Sequence, residues 1–324
     1  VVSFSVLITT HGREDLLIKC LDSLHPPVEN WQLIIIANDN NLTPELVTKA
    51  KSLTPLCTIL NFDSHKPPGQ ALNQALEQVQ GEWIYFLDED AFMLPGYWEI
   101  LNPMLLNLKI DVLGGPDSAA AGMNAFSTSL ALALSSPFCT GPTFSRHKSL
   151  GKKLLFADED KLSGTNLWVR TKALDGMRFP EDYMTSEDIV FLQKLGRKGK
   201  GIFYHPKLKV ARFRRTNLKQ LWRSCFYAGL HRSKLMKEKL RKNNEAYWLP
   251  ALFVLLHLLI FIDSFSFWYL VRMYLGIIIF VSMGLAMKAK RFYLFPFVTF
   301  FHWFVVFVYG TGFLSERLLG NRLK

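Results

Sequence analysis

A doubly wound α/β domain followed by helices that cross a membrane is the architecture this sequence predicts, on three observations. Four apolar runs of strand length, at 4–9, 33–37, 57–62 and 83–87, alternate with segments of helical periodicity. The last run, Trp83-Ile84-Tyr85-Phe86-Leu87, has no polar alternation and stops at three consecutive acids, Asp88, Glu89 and Asp90. It reads as a strand inside a parallel sheet, covered on both faces, that delivers carboxylates to the sheet's end. From Trp248 onward the composition turns to Phe, Leu, Val, Ile and Trp, in spans at 247–266, 267–287 and 292–314, each near the ~20 residues that cross a bilayer as helix.

Each element has a local reason. The strands draw on β-branched and aromatic side chains. Helices are expected at 13–24, at 44–52 with Thr43 as cap and Pro44 at its first position, at 69–79 and at 95–108. Past Gly114 and Gly115 the pattern weakens, and 119–137 is a small-residue, Leu-rich stretch too short to span a bilayer, expected as an interfacial helix or a lid. A strand at 166–170, a helix at 187–198 and a short strand at 202–204 complete the soluble part. The 324 residues therefore divide into an α/β domain over 1–235, a basic juxtamembrane segment at 236–246, a membrane region with three transmembrane helices over 247–316 and a basic tail at 317–324. Asp263, Ser264 and Ser266 form a polar turn between the first two spans; a pair of helices lying in the interface is the alternative there.

The net charge is +11, and residues 194–242 alone carry seventeen Lys or Arg against one acid, Glu238. This segment leads straight into the apolar spans, so anionic headgroups and lipid-linked phosphates are preferred to nucleic acid as its partner. Basic residues at 234–242, and Lys288, Lys290 and Arg291 between the second and third spans, place the α/β domain in the cytoplasm. The chain opens into an apolar run with no charged segment ahead of it, so no secretory signal is expected. Cys20, Cys57, Cys139 and Cys225 lack pair spacing, which fits reduced thiols and no zinc site.

Three adjacent acids repel one another unless a cation or hydrogen-bond donors compensate them. Hard divalent ions such as Mg²⁺ or Mn²⁺ take oxygen ligands and bridge phosphates, so a metal-held nucleotide diphosphate meets that need. A solvated turn is the plainer alternative for an acidic triplet.

Four features stand in order: Thr9-Thr10-His11-Gly12-Arg13 after the first strand, Asp39 after the second, Asp88-Glu89-Asp90 after the fourth, and Glu187-Asp188 opening a late helix. Together with residues 69–76 ahead of Gly81-Glu82, Gly164-Thr165-Asn166 before Arg170, and Glu187-Asp188-x-x-Phe-x-x-Lys-Leu, they resemble family 2 glycosyltransferases of the GT-A fold over residues 3–235. The segment Phe213-Arg214-Arg215-Thr216-Asn217-Leu218, followed by Tyr227-Ala228-Gly229 and Arg232, is similar to membrane-bound enzymes of polysaccharide assembly, including succinoglycan-type transferases.

The resemblance implies a nucleotide-binding set of Thr9, His11, Arg13, Asp39 and Asp88, and a metal, Mg²⁺ or Mn²⁺, on Asp90 and Asp88. It implies Asp188 as general base with Glu187 beside it, inverting the anomeric centre in one displacement. Helix-terminal chemistry is the alternative for that pair, since Thr185 or Ser186 followed by two acids suits a helix N-terminus. Arg214, Arg215 and Arg223 are candidates for a donor or lipid phosphate, because guanidinium pairs bidentately with phosphate oxygens. Gln220-Leu221-Trp222-Arg223-Ser224 departs from the Gln-x-x-Arg-Trp element of processive synthases at Ser224, which implies transfer of a single sugar. Donor selectivity is expected in loops such as 114–117.

The resulting expectation is a membrane-anchored, metal-dependent hexosyltransferase of cell-envelope or exopolysaccharide assembly, multi-pass in a bacterial inner membrane. It takes a UDP-linked sugar and gives it to a polyprenyl-linked acceptor, with polyprenyl phosphate or a membrane lipid as alternatives. A catalytically silent membrane scaffold is the competing class, against which the intact Asp88, Asp90 and Asp188 argue.

Overall fold

The computed structural model describes residues 3–38, 42–237, 245–259 and 264–320, the side chains of 264–267 excepted. Asp39, expected at the nucleotide, and residues 238–244 of the basic segment lie outside the described residues. The chain forms two compact units, Val1–Ala120 with Lys148–Phe213, and Ala121–His147 with Arg214–Lys324. The division is not linear in sequence: the stretch 121–147 and the basic residues from Arg214 onward go with the C-terminal helices.

The first unit holds β1 (Phe4–Thr10), β2 (Trp31–Asn38), β3 (Leu56–Phe62), β4 (Trp83–Asp88), β5 (Ala91–Met93), β6 (Val112–Gly114), β7 (Asp117–Ala119), β8 (Leu155–Phe156), β9 (Asn166–Arg170), β10 (Ile202–Tyr204) and β11 (Val210–Arg212). Eight of them form one sheet in the order β3-β2-β1-β4-β9-β6-β10-β8, and β5-β11-β7 form a second, small one. All four apolar runs seen in the sequence are strands of the large sheet, three of them inside it and β3 at its edge.

Alternate side chains of each strand enter different cores, as the two-residue period of a strand requires. Val6, Ile8, Leu33, Ile35, Trp83, Tyr85 and Leu87 pack with Leu17, Leu21, Leu46 and Leu101. Leu7, Ile34, Ile36, Ile84 and Phe86 pack with Ala71, Ala75, Phe191, Leu192 and Leu195. The helices Glu14–Asp22, Pro44–Leu53 and Tyr97–Leu105 thus cover one face, and Pro68–Leu76 and Glu187–Arg197 the other. This is why β4 shows no alternation in sequence.

The expected parallel setting of β4 holds on one side only: β1 runs parallel to it and β9 antiparallel. An antiparallel β9 begins at the end of the sheet where β4 finishes, Leu87 opposite Asn166, so residues 164–166 arrive beside the acids.

Helix Pro68–Leu76 approaches the segment after Phe179 so closely that a Cβ on Gly69 would lie 1.9 Å from the Pro180 carbonyl oxygen. Backbone cannot give way as a flexible side chain can, and Gly69→Ala is expected to destabilise the fold by about 3 kcal/mol. Thermal unfolding of the variant beside its parent measures it.

In the second unit, the stretch expected as an interfacial helix or lid contains the helix Ala125–Leu134, capped by Asn124, whose side chain accepts from the Ser127 N–H at 2.9 Å. The long helices Leu218–Lys237 and Phe295–Leu319 meet at glycines: a Cβ on Gly229 would lie 2.0 Å from the Tyr309 carbonyl, and one on Gly312 2.0 Å from that of Phe226. Two helical stretches are long and apolar enough to cross a membrane, Trp268–Lys288 with mean hydropathy 2.0 and Phe292–Leu319 with 1.7. They coincide with the second and third expected spans. Of the first, the described residues form a shorter apolar stretch, Glu245–Leu259, and 260–263 lie outside the description.

Candidate active site

The site is built at the carboxyl ends of β1 and β4, where a parallel pair leaves backbone ends and side chains free to face a ligand. Thr9 lies opposite Asp88 in the register, and its carbonyl accepts the Glu89 N–H at 3.3 Å. The acidic triplet then separates into different roles.

Glu89, only 1% exposed, turns onto the loop after β1. One oxygen accepts from the Thr10 hydroxyl, the His11 N–H at 3.2 Å and the Arg13 N–H at 3.3 Å; the other accepts from Arg13 Nε at 2.7 Å. Gly12 has a positive φ of 82°, open to glycine without strain, which lets successive N–H groups face one carboxylate. Glu89 is therefore the staple that shapes Thr10–Arg13, and the middle acid is used up in doing so.

Asp88 and Asp90 converge instead on Arg212. Its Nη2 donates to Asp88 Oδ2 at 2.8 Å, its Nε to Asp90 Oδ1 at 2.9 Å, and its Nη1 to the Thr165 hydroxyl at 2.6 Å and towards Asp117 Oδ2 at 3.5 Å. Thr165 in turn donates to Asp88 Oδ2 at 2.8 Å, and Arg13 Nη1 meets the second oxygen of Asp90 at 3.0 Å. The small sheet makes this possible by pairing Arg212 of β11 with Ala91 on one side and Ala119 on the other.

The electrostatics follow from the geometry. Burial works against the charge of Arg212, and Asp90, Asp88 and Asp117 outweigh it, holding the guanidinium protonated far above its ordinary pKa. Arg13 is raised in the same way, burial being overcome by Asp90 and Glu89. Loss of water raises the Asp88 pKa, with Arg212 opposing and Asp90 reinforcing the shift. His11, its ring 5.8 Å from that of His65, is lowered by burial against the pull of Glu89.

Gly164-Thr165-Asn166 ties these acids to the second pair. The Gly164 N–H donates to Asp188 Oδ2 at 2.9 Å, while Asn166, fully buried, donates to the Leu208 carbonyl and accepts from Tyr97 at 2.6 Å. Asp188 Oδ1 accepts the Ile189 N–H at 2.8 Å. The expected Ser186 side-chain cap is not formed; Ser186 instead adopts φ 69°, a left-handed conformation that costs a non-glycine residue of order 1 kcal/mol and recurs at functional sites. Burial, reinforced by the charge of Asp188, pushes the Glu187 carboxyl up to about 8. Glu187 therefore favours its protonated form at neutral pH.

Of the residues singled out in the sequence, Thr9, His11, Arg13, Asp88, Asp90, Glu187 and Asp188 all lie in the first unit, linked through Glu89, Thr165 and Gly164. The phosphate candidates belong to the second. Arg214 is buried there, its Nη2 3.3 Å from His147 Nδ1, whereas Arg215 and Arg223 are exposed. Arg212 was not among the expected residues. The signal for it lies in Val210-Ala211-Arg212, a short strand-like run just ahead of Arg214 and Arg215.

The model of the family described as "Glycosyl transferase family 2" matches residues 5–174. A stretch of 103 residues, 30% of this chain and 38% of the other, is 27% identical to an uncharacterized glycosyltransferase of Haemophilus influenzae, so most of that protein's length is not spanned. Among solved structures, a mannosyltransferase of Pyrobaculum calidifontis in complex with GDP-Man and Mn²⁺ superposes with a TM-score of 0.59 at 14% identity, over 98% of this chain and 87% of that one. Residues 1–349 of TarS from S. aureus, in complex with UDP-GlcNAc, give 0.53 at 17% identity over 98% and 92%. At such identities the likeness establishes the fold, GT-A, as the motif order implied. The family match runs from the first strand through β9 and takes in the acids, the loop that Glu89 shapes and the Gly164-Thr165-Asn166 link; covering more than half of the sequence, it shows that the chain belongs to glycosyl transferase family 2.

Proposed function

We propose that this glycosyltransferase moves a single sugar, with inversion, from a nucleoside-diphosphate sugar to a lipid-linked acceptor at the cytoplasmic face of a bacterial inner membrane. The observation that carries the reading is the convergence of three carboxylates, Asp88, Asp90 and Asp117, on one cation, the Arg212 guanidinium, at the end of β4. Such a pocket is built for positive charge. Among Asp88, Glu89, Asp90, Asp117, Arg13 and Arg212 the acids exceed the bases by two, and a donor diphosphate adds further negative charge, so a divalent cation fits the balance. Among the described residues no three acidic, His or Cys side chains could hold an ion by themselves. Mg²⁺ and Mn²⁺ are commonly held by one or two carboxylates plus substrate phosphates. Asp88 and Asp90 would hold the ion, which when bound neutralises charge on the leaving diphosphate.

The chain's own residues supply the rest. The end of β1 at Thr9 and the Glu89-shaped loop with His11 and Arg13 face the nucleotide, and Asp39 is proposed to contact its base or ribose. Asp188, oriented by the Gly164 and Ile189 N–H groups, removes the acceptor hydroxyl's proton as that oxygen bonds to the anomeric carbon and the bond to the diphosphate breaks. The Glu187 proton spares Asp188 a second negative neighbour. Above pH 8 that proton is lost and a second negative charge stands beside Asp188, so turnover is expected to change through an inflection near 8 that Glu187→Gln removes; a pH profile of kcat for both proteins checks it. The same raised carboxyl makes fold stability decline between the ordinary glutamate range and pH 8, because the unfolded chain ionises first, and Glu187→Gln abolishes that slope.

Two apolar helices and the basic residues that flank them support membrane anchoring, with Arg214, Arg215 and Arg223 proposed to meet phosphate of the donor or the lipid. The neighbours' ligands set the donor panel: UDP- and GDP-sugars, uridine first. Nucleotide release by the full chain in nanodiscs, with Mn²⁺ or Mg²⁺ against chelator and with a membrane lipid extract, tests the proposal. Metal-dependent release from one donor supports it; neither release nor metal-dependent nucleotide binding would leave a silent membrane scaffold as the better reading.

A further inference from the structure

We propose that Arg212 is the placeholder cation of the donor site: its guanidinium pairs with the carboxylates that would hold the divalent ion, and when ion and donor bind it passes from Asp88 and Asp90 to the donor's diphosphate. The inference rests on the metal-and-diphosphate reading above and deepens it by assigning a residue that no motif of the sequence marked.

The geometry is specific. Three of the four carboxylates near the end of β4 are addressed by different nitrogens of one guanidinium, at 2.8, 2.9 and 3.5 Å, and the Thr165 hydroxyl takes a further bond at 2.6 Å. Asp90 is 7% exposed at its side chain and receives Arg13 on its other oxygen, so an entering ion meets an arginine at either Asp90 oxygen. Asp88 is the more open of the two, 37% exposed at its side chain, and gives the ion its route in. A carboxylate can serve guanidinium or metal with one lone pair, not both.

Displacing Arg212 with no new partner on offer would cost the ion pairs it makes, because a buried charge without its partners is strongly unfavourable. A diphosphate changes that balance. It offers oxygens with the planar, bidentate spacing that guanidinium prefers, and does so next to the same ion. The arginine then exchanges carboxylates for phosphate oxygens without ever losing a partner. The consequence is that the ion alone binds weakly, that nucleotide and ion promote each other, and that a site built from two protein carboxylates selects for the pair. By linkage each raises the affinity of the other by the same factor.

The test is Mn²⁺ binding to the full chain in nanodiscs, read by the electron paramagnetic resonance signal of free Mn²⁺, first with no nucleotide and then with UDP or GDP. Arg212→Gln is expected to bind Mn²⁺ alone about tenfold more tightly than the parent, and to bind UDP or GDP at saturating Mn²⁺ about tenfold more weakly. Equal Mn²⁺ affinity of parent and variant without nucleotide overturns the placeholder role while leaving the metal reading standing. If neither protein binds Mn²⁺ even with nucleotide, the metal reading itself fails and the placeholder with it. Arg212→Lys guards against misfolding of the glutamine variant: a point charge can hold one carboxylate and not three, so its Mn²⁺ affinity is expected between those of the parent and Arg212→Gln, and an affinity at or below the parent's counts against the proposal.

Discussion

Asp90→Asn is expected to lower turnover by about 10²–10³-fold while the protein remains folded, the loss typical of removing one charge from a preorganised electrostatic site. Asp90 differs from its neighbours in the triplet by carrying the guanidinium of a different arginine on each oxygen, Arg13 at 3.0 Å and Arg212 at 2.9 Å. The amide keeps the volume and one acceptor but removes the charge on which both guanidiniums depend and to which the ion would bind. Asp90→Ala removes the acceptors too and leaves two arginine edges facing a small void, so it is expected to cost a further ~1–3 kcal/mol of stability. The kinetic comparison therefore belongs to the asparagine variant. Nucleotide release by the two proteins at saturating donor measures the effect, and turnover within about twofold of the parent would remove Asp90 from the cation site.

Glu89→Gln makes a useful contrast, because the middle acid acts on the loop and not on the ion. Its bonds to Thr10, His11 and Arg13 hold in shape the loop proposed to meet the nucleotide, so its loss is expected in donor affinity first, with KM rising about tenfold and kcat changing less. Steady-state kinetics with the donor varied separates the two parameters.

What the sequence revealed was the part of the molecule that repeats a simple period or stops it abruptly. The strands at 33–37 and 83–87 were legible because both faces of the sheet are covered, which leaves an unbroken apolar run. The helix Glu187–Arg197 was legible from its acids and its buried stripe of Ile189, Val190, Leu192 and Leu195. The small sheet was not: β5, β7 and β11 have three residues each, too few to show a period, and they come from parts of the chain more than twenty residues apart. Arg212 depends on that sheet and was hidden with it. The split of the acidic triplet was hidden for another reason. Three like side chains in a row give no sign of which one a loop 76–79 residues earlier will claim, and the Thr10–Arg13 loop claims Glu89. The antiparallel entry of β9 likewise leaves no trace in composition, though it is what lets Thr165 reach Asp88.

Asp188→Asn carries the other large expected effect and discriminates between acceptors. The Gly164 N–H at 2.9 Å and the Ile189 N–H at 2.8 Å bind one carboxylate oxygen each, which fixes the side chain and leaves lone pairs free for an acceptor proton. An amide can satisfy one of those donors and presents its NH₂ to the other, so a stability loss of about 1 kcal/mol is expected, that of a weakened helix N-terminus. If the acceptor attacks through a sugar hydroxyl, loss of the base is expected to lower kcat by about 10²–10⁴-fold with donor binding unchanged. If the acceptor is a lipid phosphate, its oxygen needs no deprotonation at neutral pH and the loss is expected to stay within about tenfold, Asp188 then acting by position alone. A fall in donor affinity with kcat intact would assign the residue to the helix terminus and take the base out of the mechanism. Comparing kcat and donor affinity of this one variant with the parent therefore tests the base and sorts the acceptor by chemical class, because Asp188 is held from the backbone and its orientation does not depend on what binds.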